Sequence, residues 1–349
     1  MIDFTRAQLN QFYVSFVGNK GLGEELTLSE TEFKLEDDFL KETLIRYFTQ
    51  NFKTDIYYQF KGKVDISLAS VANACEDMFN SQKTFVDKSK EIANHLYNQS
   101  VHPKIKGGEF FVCYFNDVNV DGELCDAIGL FKCENKETFL KVYQHIDNFE
   151  LDCENGININ KLDKGCLIFN TDKKNGFKLS IIDNNNKVAE CAAYWQEDFL
   201  NTKLKTNAYY HTKNFMDMSR GFCEEVLTEA NNVDKQNQMM MLNRSASYFK
   251  DKDHVIVSNF EKDVLVEPDI ITAFKDYRNT YNDKLNLTAI EEFDVSNTAV
   301  KKNAKYMRSV VKLDKNFHLY INSKHDYVER GFDEDKGLKY YKLYYINET

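Results

Sequence analysis

Across residues 37–52 the apolar side chains Leu40, Leu44, Tyr47 and Phe48 recur at three and four residues behind an acidic first turn of Glu36, Asp37 and Asp38, which predicts an amphipathic helix. A longer helical stretch is predicted to open with Asp65 as N-cap and to break near Ser81. Leu68, Val71, Ala72, Cys75, Met78 and Phe79 carry its first stripe, and Ile92, Ala93, Leu96 and Tyr97 its second. After Pro103 and the Gly107-Gly108 pair the period shortens. Residues 109–115 (EFFVCYF) and 125–131 (CDAIGLF) read as strands of a hairpin turning at Asp121-Gly122. Residues 166–170 (CLIFN) and 177–183 (FKLSIID) read as a second hairpin turning at Asn175-Gly176, with a strand over 188–195 joining it.

From Tyr210 onward the helical spacing returns. Phe215, Met218, Phe222 and Val226 form one stripe, and Met239, Leu242, Ala246 and Phe249 a second. A third helix starts at Pro268 and continues through Ile270, Phe274, Tyr277 and Tyr281. Residues 309–313, 317–321, 327–332 and 338–346 then predict a small β-meander. The fold class expected is α+β: an antiparallel sheet covered by helices over residues 1–204, followed by a smaller helical and β-meander unit over 205–349 that carries the basic segment. No internal repeat is visible.

Composition narrows the picture. The chain has 349 residues, 42% apolar and 29% charged, which excludes a disordered or low-complexity polymer. Its longest apolar runs fall far short of the roughly 18 residues a membrane span needs. The first residues, MIDFTRAQLNQ, show no basic region followed by an apolar stretch, so the expected location is the cytoplasm, with cysteines reduced. Cysteines 75, 113, 125, 133, 153, 166, 191 and 223 form no C-x-x-C pair and read as small buried hydrophobes.

Lysine and arginine total 45 against 55 acidic residues, a formal charge of −10, so any polyanion site must be local. One segment reverses the sign. Between residues 299 and 324, Lys301, Lys302, Lys305, Arg308, Lys312, Lys315 and Lys324 stand against the single acid Asp314, a net +6 that leaves −16 for the rest of the chain. An extended run over 306–313 would turn Arg308, Val310 and Lys312 to one side and Met307, Ser309, Val311 and Leu313 to the other. Lysines meet phosphate without reading base edges, so this composition points to weakly specific, salt-sensitive duplex binding, with a merely solvated strand and loop as the competing explanation. Lys104 and Lys106 form a smaller basic group. Residues 24–42 carry eight acids and two lysines and would repel DNA or serve a basic protein partner.

Enzyme signatures are thin. Asp126 followed by Glu134-Asn135-Lys136 resembles the carboxylate and lysine arrangement of metal-dependent nucleases, although such a tripeptide often arises by chance in a lysine-rich chain. The histidines show no H-E-x-x-H or H-x-E spacing, and no G-x-S-x-G or phosphate-binding G-x-x-x-x-G-K-[ST] occurs. His318 and His211 read as structural or solvated.

Seven blocks, taken in order, resemble the bacterial nucleoid-associated protein family. They are 16–23 (FVGNKGLG), 100–115 (SVHPKIKGGEFFVCYF), 127–142 (AIGLFKCENKETFLKV), 156–170 (GININKLDKGCLIFN), 194–200 (YWQEDFL), 210–215 (YHTKNF) and 308–321 (RSVVKLDKNFHLYI). The resemblance implies a cytoplasmic protein associated with the chromosome that binds double-stranded DNA, with RNA as a further ligand, and that has no enzymatic activity and no cofactor. It transfers no contact residue. The expected nucleic-acid-binding residues, Lys301, Lys302, Lys305, Arg308, Lys312 and Lys315, therefore rest on charge, and homodimerisation through the amino-terminal scaffold is a further expectation. The competing functional readings are an adaptor recruited to DNA-bound enzymes through the acidic 24–42 face, and the metal-dependent nuclease.

Overall fold

The computed structural model describes residues 2–53, 56–61, 70–184, 194–228, 231, 233, 235–285, 287–307, 310–313, 317–320 and 328–347. The chain divides into two compact units, Met1–Lys205 and Thr206–Thr349.

The first unit is built on one antiparallel sheet. Its elements are β1 (Ile2–Asp3), β2 (Gln8–Val17), β3 (Leu26–Leu28), α1 (Asp38–Thr49), β4 (Tyr58–Phe60), α2 (Ser70–Asn80), α3 (Phe85–Gln99), β5 (Gly108–Val120), β6 (Glu123–Cys133), β7 (Glu137–Gln144), β8 (Phe149–Gly156), β9 (Lys164–Phe169), β10 (Lys178–Asp183) and β11 (Thr202–Leu204). The strands run in the order β11-β4-β10-β9-β6-β5-β2-β3, with β1 pairing the far end of β5, while β7 and β8 form a separate ribbon. Both faces of the sheet are covered, so the α+β expectation holds. Phe110, Val112, Tyr114, Ile128, Leu130 and Ile168 pack with Cys75, Met78, Phe85, Ile92 and Leu96 of α2 and α3. The alternate residues Phe111, Cys113, Phe115, Phe131 and Phe169 pack with Tyr47 and Phe48 of α1. This two-sided burial makes the central strands continuous apolar runs rather than alternating ones.

Local chemistry explains the boundaries. Asp37 caps α1 by accepting from the Phe39 and Leu40 amides. The predicted break near Ser81 is present, with a 3-10 turn over Gln82–Thr84 between α2 and α3, whereas the Asp65 cap lies outside the described residues. The β5–β6 turn sits at Asp121-Gly122, both at positive φ (56° and 93°), as a tight hairpin requires. The second hairpin differs from expectation. β9 and β10 are joined through a 3-10 turn over Lys173–Asn175, with positive φ at Asp172, Gly176 and Phe177, because Asp172 accepts backbone bonds from Asn175 and Phe177. The strand expected over 188–195 is corrected where it is described: Tyr194–Phe199 is a π-helical turn that buries Tyr194, Trp195 and Phe199 against the sheet.

The second unit holds α4 (Ala208–Glu225), α5 (Lys235–Asp251), β12 (His254–Ile256), α6 (Val257–Phe260), α7 (Pro268–Leu285), β13 (Glu292–Asp294), α8 (Asn297–Asn303), β14 (Val310–Leu313), β15 (Phe317–Tyr320), β16 (Val328–Asp333) and β17 (Leu338–Leu343). Phe215 of α4 touches the rings of Phe249, Phe260, Phe274 and Phe293, which ties four helices and β13 into one aromatic core. The meander is corrected to two separate hairpins among the described residues, β14–β15 and β16–β17.

Candidate nucleic-acid interface

The basic segment begins on a short helix. Ser296 caps α8 by accepting from the Ala299 amide, and Ala299, Val300 and Asn303 bury its inner face. Lys301 and Lys302 occupy its last turn, where the carbonyl ends favour cations, and both are exposed. Neither has a carboxylate partner among the described residues. By contrast, Lys213 and Arg220 are held by Asp217, Lys275 by Glu261 and Arg278 by Glu291. Lys305 follows in a 3-10 turn over Ala304–Tyr306, so Tyr306 is not part of the extended run expected over 306–313, of which Val310–Leu313 is strand. Lys312 lies on β14 directly opposite His318 of β15. Arg308, Lys315 and Lys324 lie outside the described residues, as does Asp314. The described part of the segment thus places Lys301 and Lys302 side by side on one helix end and sets Lys312 on a separate hairpin.

A second polar centre, which charge counting along the chain did not reveal, lies at one end of the large sheet. Lys132 and Lys164 are fully buried although each sits in an apolar strand. Lys132 Nζ donates to the Lys106 carbonyl at 2.8 Å and pairs with Glu134 at 3.4 Å. Lys164 Nζ pairs with Asp183 at 2.8 Å. Tyr194 donates to Glu134 at 2.8 Å, and the Lys164 ammonium lies 5.3 Å from its ring centre. Asp163 accepts from the Glu134 and Asn135 amides and from the Asn135 side chain. Burial lowers the Lys132 pKa, and Glu134 opposes that shift.

Beside this centre the 16–23 and 100–108 loops lock together through Asn19. Its side chain donates to the carbonyls of His102 and Ile105 at 2.9 and 2.7 Å, and its backbone amide donates to Glu24 at 2.7 Å. Five of the seven blocks that carry the family resemblance therefore contribute to one end of the sheet. The available signal was a lysine inside an apolar strand, as in LFKC and LDKGCLIF.

The nuclease constellation does not assemble. Asp126 and Glu134 are eight residues apart along and just beyond β6, roughly 26 Å at strand rise, so they cannot share one cation. Asp126 instead accepts from Tyr114 and Asn116, each at 2.8 Å, across the bulge in β5 where Asp117 adopts positive φ. Among the described residues no three His, Cys, Asp or Glu side chains group to hold a metal. Lys106 is drawn to Asn135 at 2.7 Å. Part of the acidic 24–42 stretch is spent locally, on Asn19, Lys90, Gln11 and the α1 cap. His211 packs against Tyr210 and Phe293, and burial lowers its pKa. Cysteines 75, 113, 133, 166 and 223 are buried as expected, but Cys153 is exposed on β8; Cys191 lies outside the described residues.

No helix among the described residues is long and apolar enough to cross a membrane. A search of curated proteins finds no match. The family profile described as nucleoid-associated protein YejK matches residues 17–338.

Proposed function

Because the chain belongs to the nucleoid-associated protein family, we propose that it binds double-stranded DNA directly, with little sequence preference, through the cations that begin at Lys301 and Lys302. The observation that carries this reading is the pair of exposed lysines at the end of α8, without a carboxylate partner among the described residues, in a chain whose net charge is −10. Flexible ammonium groups in water can each meet a phosphate and release its condensed counterion. They supply affinity and salt dependence but no base readout. Lys305, Arg308, Lys312 and Lys315 extend the same footprint in this proposal, and no cofactor or catalytic group is needed. RNA offers the same phosphate charge and is a second ligand of this site. Residence in the nucleoid follows from that binding.

The test is duplex binding by the pure protein at low and moderate salt, with single-stranded DNA and RNA as competitors. Retention of duplex at low salt, falling steeply as salt rises, supports the reading. A protein that ignores duplex at low salt overturns it, and the adaptor reached through the acidic 24–42 face would take its place.

A further inference from the structure

The ribbon β7–β8 has two unlike faces. Leu140 lies opposite Cys153, Val142 opposite Leu151 and Gln144 opposite Phe149, so these side chains share one face. The other face sets Lys141 against Asp152 and Tyr143 against Glu150, and carries the ion pairs of Lys141 with Glu154 and of His145 with Glu150. The apolar face is open to solvent: Val142 is 58% exposed, Leu151 62% and Phe149 67%, with Ile146 at the tip wholly exposed. An isolated two-stranded ribbon is marginal in water, and a contiguous apolar stripe of roughly 500 Å² has the size of the largest patch on a typical monomer, which often serves binding.

The chemistry of the ribbon limits what covers it. Residues 137–156 carry five acids and one lysine, so neither a nucleic acid nor an anionic bilayer is attracted. We propose that this face packs against the same face of a second copy of the chain, in a two-fold dimer. From Leu140 to Phe149 the stripe is apolar except for Gln144, and so complements itself. Its central pair, Val142 and Leu151, falls nearest the axis, with Cys153 beside it. Two copies together remove roughly 1,000 Å² of surface, the lower bound for a specific interface. Sheets stack about 10 Å apart. The charged faces then point outward on opposite sides, and the carboxylates of the two copies are separated by more than the roughly 8 Å Debye length. The proposal stands independently of the DNA reading.

Sedimentation of the full chain tests it. The wild type is expected at twice its 40.9 kDa mass. Leu151→Glu, and separately Val142→Lys, are expected to weaken the dimer roughly a hundredfold, since each change occurs twice at a two-fold interface. Asp152→Ser on the charged face is expected to leave the dimer intact. Far-ultraviolet circular dichroism of each variant should match the wild type, because β7 and β8 pair only with each other and not with the large sheet. Alkylation of Cys153 should slow as protein concentration rises, and added salt should hold or tighten the dimer. A wild type that stays monomeric at its highest soluble concentration overturns the proposal. So does a Leu151→Glu protein that remains dimeric, or a dimer that salt dissociates.

Discussion

Lys132 Nζ lies 3.4 Å from Glu134 Oε1 at the end of the central sheet, with the lysine side chain wholly enclosed and the glutamate 6% exposed. A charge in that position survives because its partner and the Lys106 carbonyl replace the water it gave up. Glu134→Ala should therefore leave an uncompensated ammonium and cost about 3–5 kcal/mol, lowering the melting temperature of the protein by about 10 °C. Lys132→Met with Glu134→Leu should cost less than the single change, because it removes both charges together. Calorimetry on the three variants measures the coupling. A loss below about 1 kcal/mol for Glu134→Ala would show that solvent reaches the pair.

The same substitution at two glycines should separate a steric from a conformational cost. A Cβ on Gly108 would come 1.9 Å from the Cys133 carbonyl oxygen, where β5 and β6 pair, and neither backbone can yield without breaking the ladder. Gly108→Ala should cost more than 3 kcal/mol, roughly, or abolish soluble expression. Gly122 has open space around its Cβ and only its φ of 93° to strain, so Gly122→Ala should cost about 1–2 kcal/mol. Denaturant unfolding of both variants reads the difference.

Two histidines should respond to pH with opposite signs. Burial lowers the His95 pKa, its ring nitrogen facing the Phe199 carbonyl at 3.1 Å. Its unfolded value is 6.5, so the unfolded state binds the proton first. Stability of the first unit should fall as pH drops below 6.5 toward the lower folded value. His254 is the reverse: a hydrogen bond to Asp294, directly opposite on β13, raises its pKa, helped by the Glu292 charge. That contribution is fully present below pH 6.5 and is lost as pH rises through the higher folded value. Imidazole NMR titration should place His95 below and His254 above 6.5, and Asp294→Asn should return His254 toward it.

The helices legible in the sequence are those whose side chains alternate between core and water. α1 is readable from Leu40, Leu44, Tyr47 and Phe48, and α7 from Pro268 and Phe274. The β5–β6 hairpin is readable because long apolar runs flank a dipeptide suited to positive φ. β2 is not, since polar Gln8, Asn10, Gln11 and Ser15 interrupt its apolar residues and its register shifts between Leu9 and Gln11, which breaks the period. The ribbon β7–β8 escapes because the aromatic residues Phe139 and Tyr143, on the opposite face, flank Leu140 and Val142 in the chain and blur the two-residue alternation. In the candidate site, charge along the chain points to Lys301 and Lys302. It cannot show that Lys132 and Lys164 are used up in the interior, because pairing with Glu134 and Asp183 exists only after folding.

That distinction between spent and available lysines carries the last prediction. Lys132 and Lys164 are enclosed and paired, so changing them should alter stability and leave the salt dependence of DNA binding per folded molecule unchanged. Lys301 and Lys302 are exposed and lie on the outer part of α8, whose inner face is held by Ala299, Val300 and Asn303. Lys301→Glu with Lys302→Glu should therefore leave melting nearly unchanged, within about 0.5 kcal/mol each for surface positions. The slope of log affinity against log salt should flatten by about 0.9 for each phosphate that the variant no longer neutralises, about 1.8 for both. Adding Arg308→Glu and Lys312→Glu should flatten it further if the footprint runs along the segment. Duplex titrations by fluorescence anisotropy at four or more salt concentrations give the slopes directly. A double variant that keeps the wild-type slope would remove α8 from the DNA interface and require the phosphates to be met elsewhere on the chain.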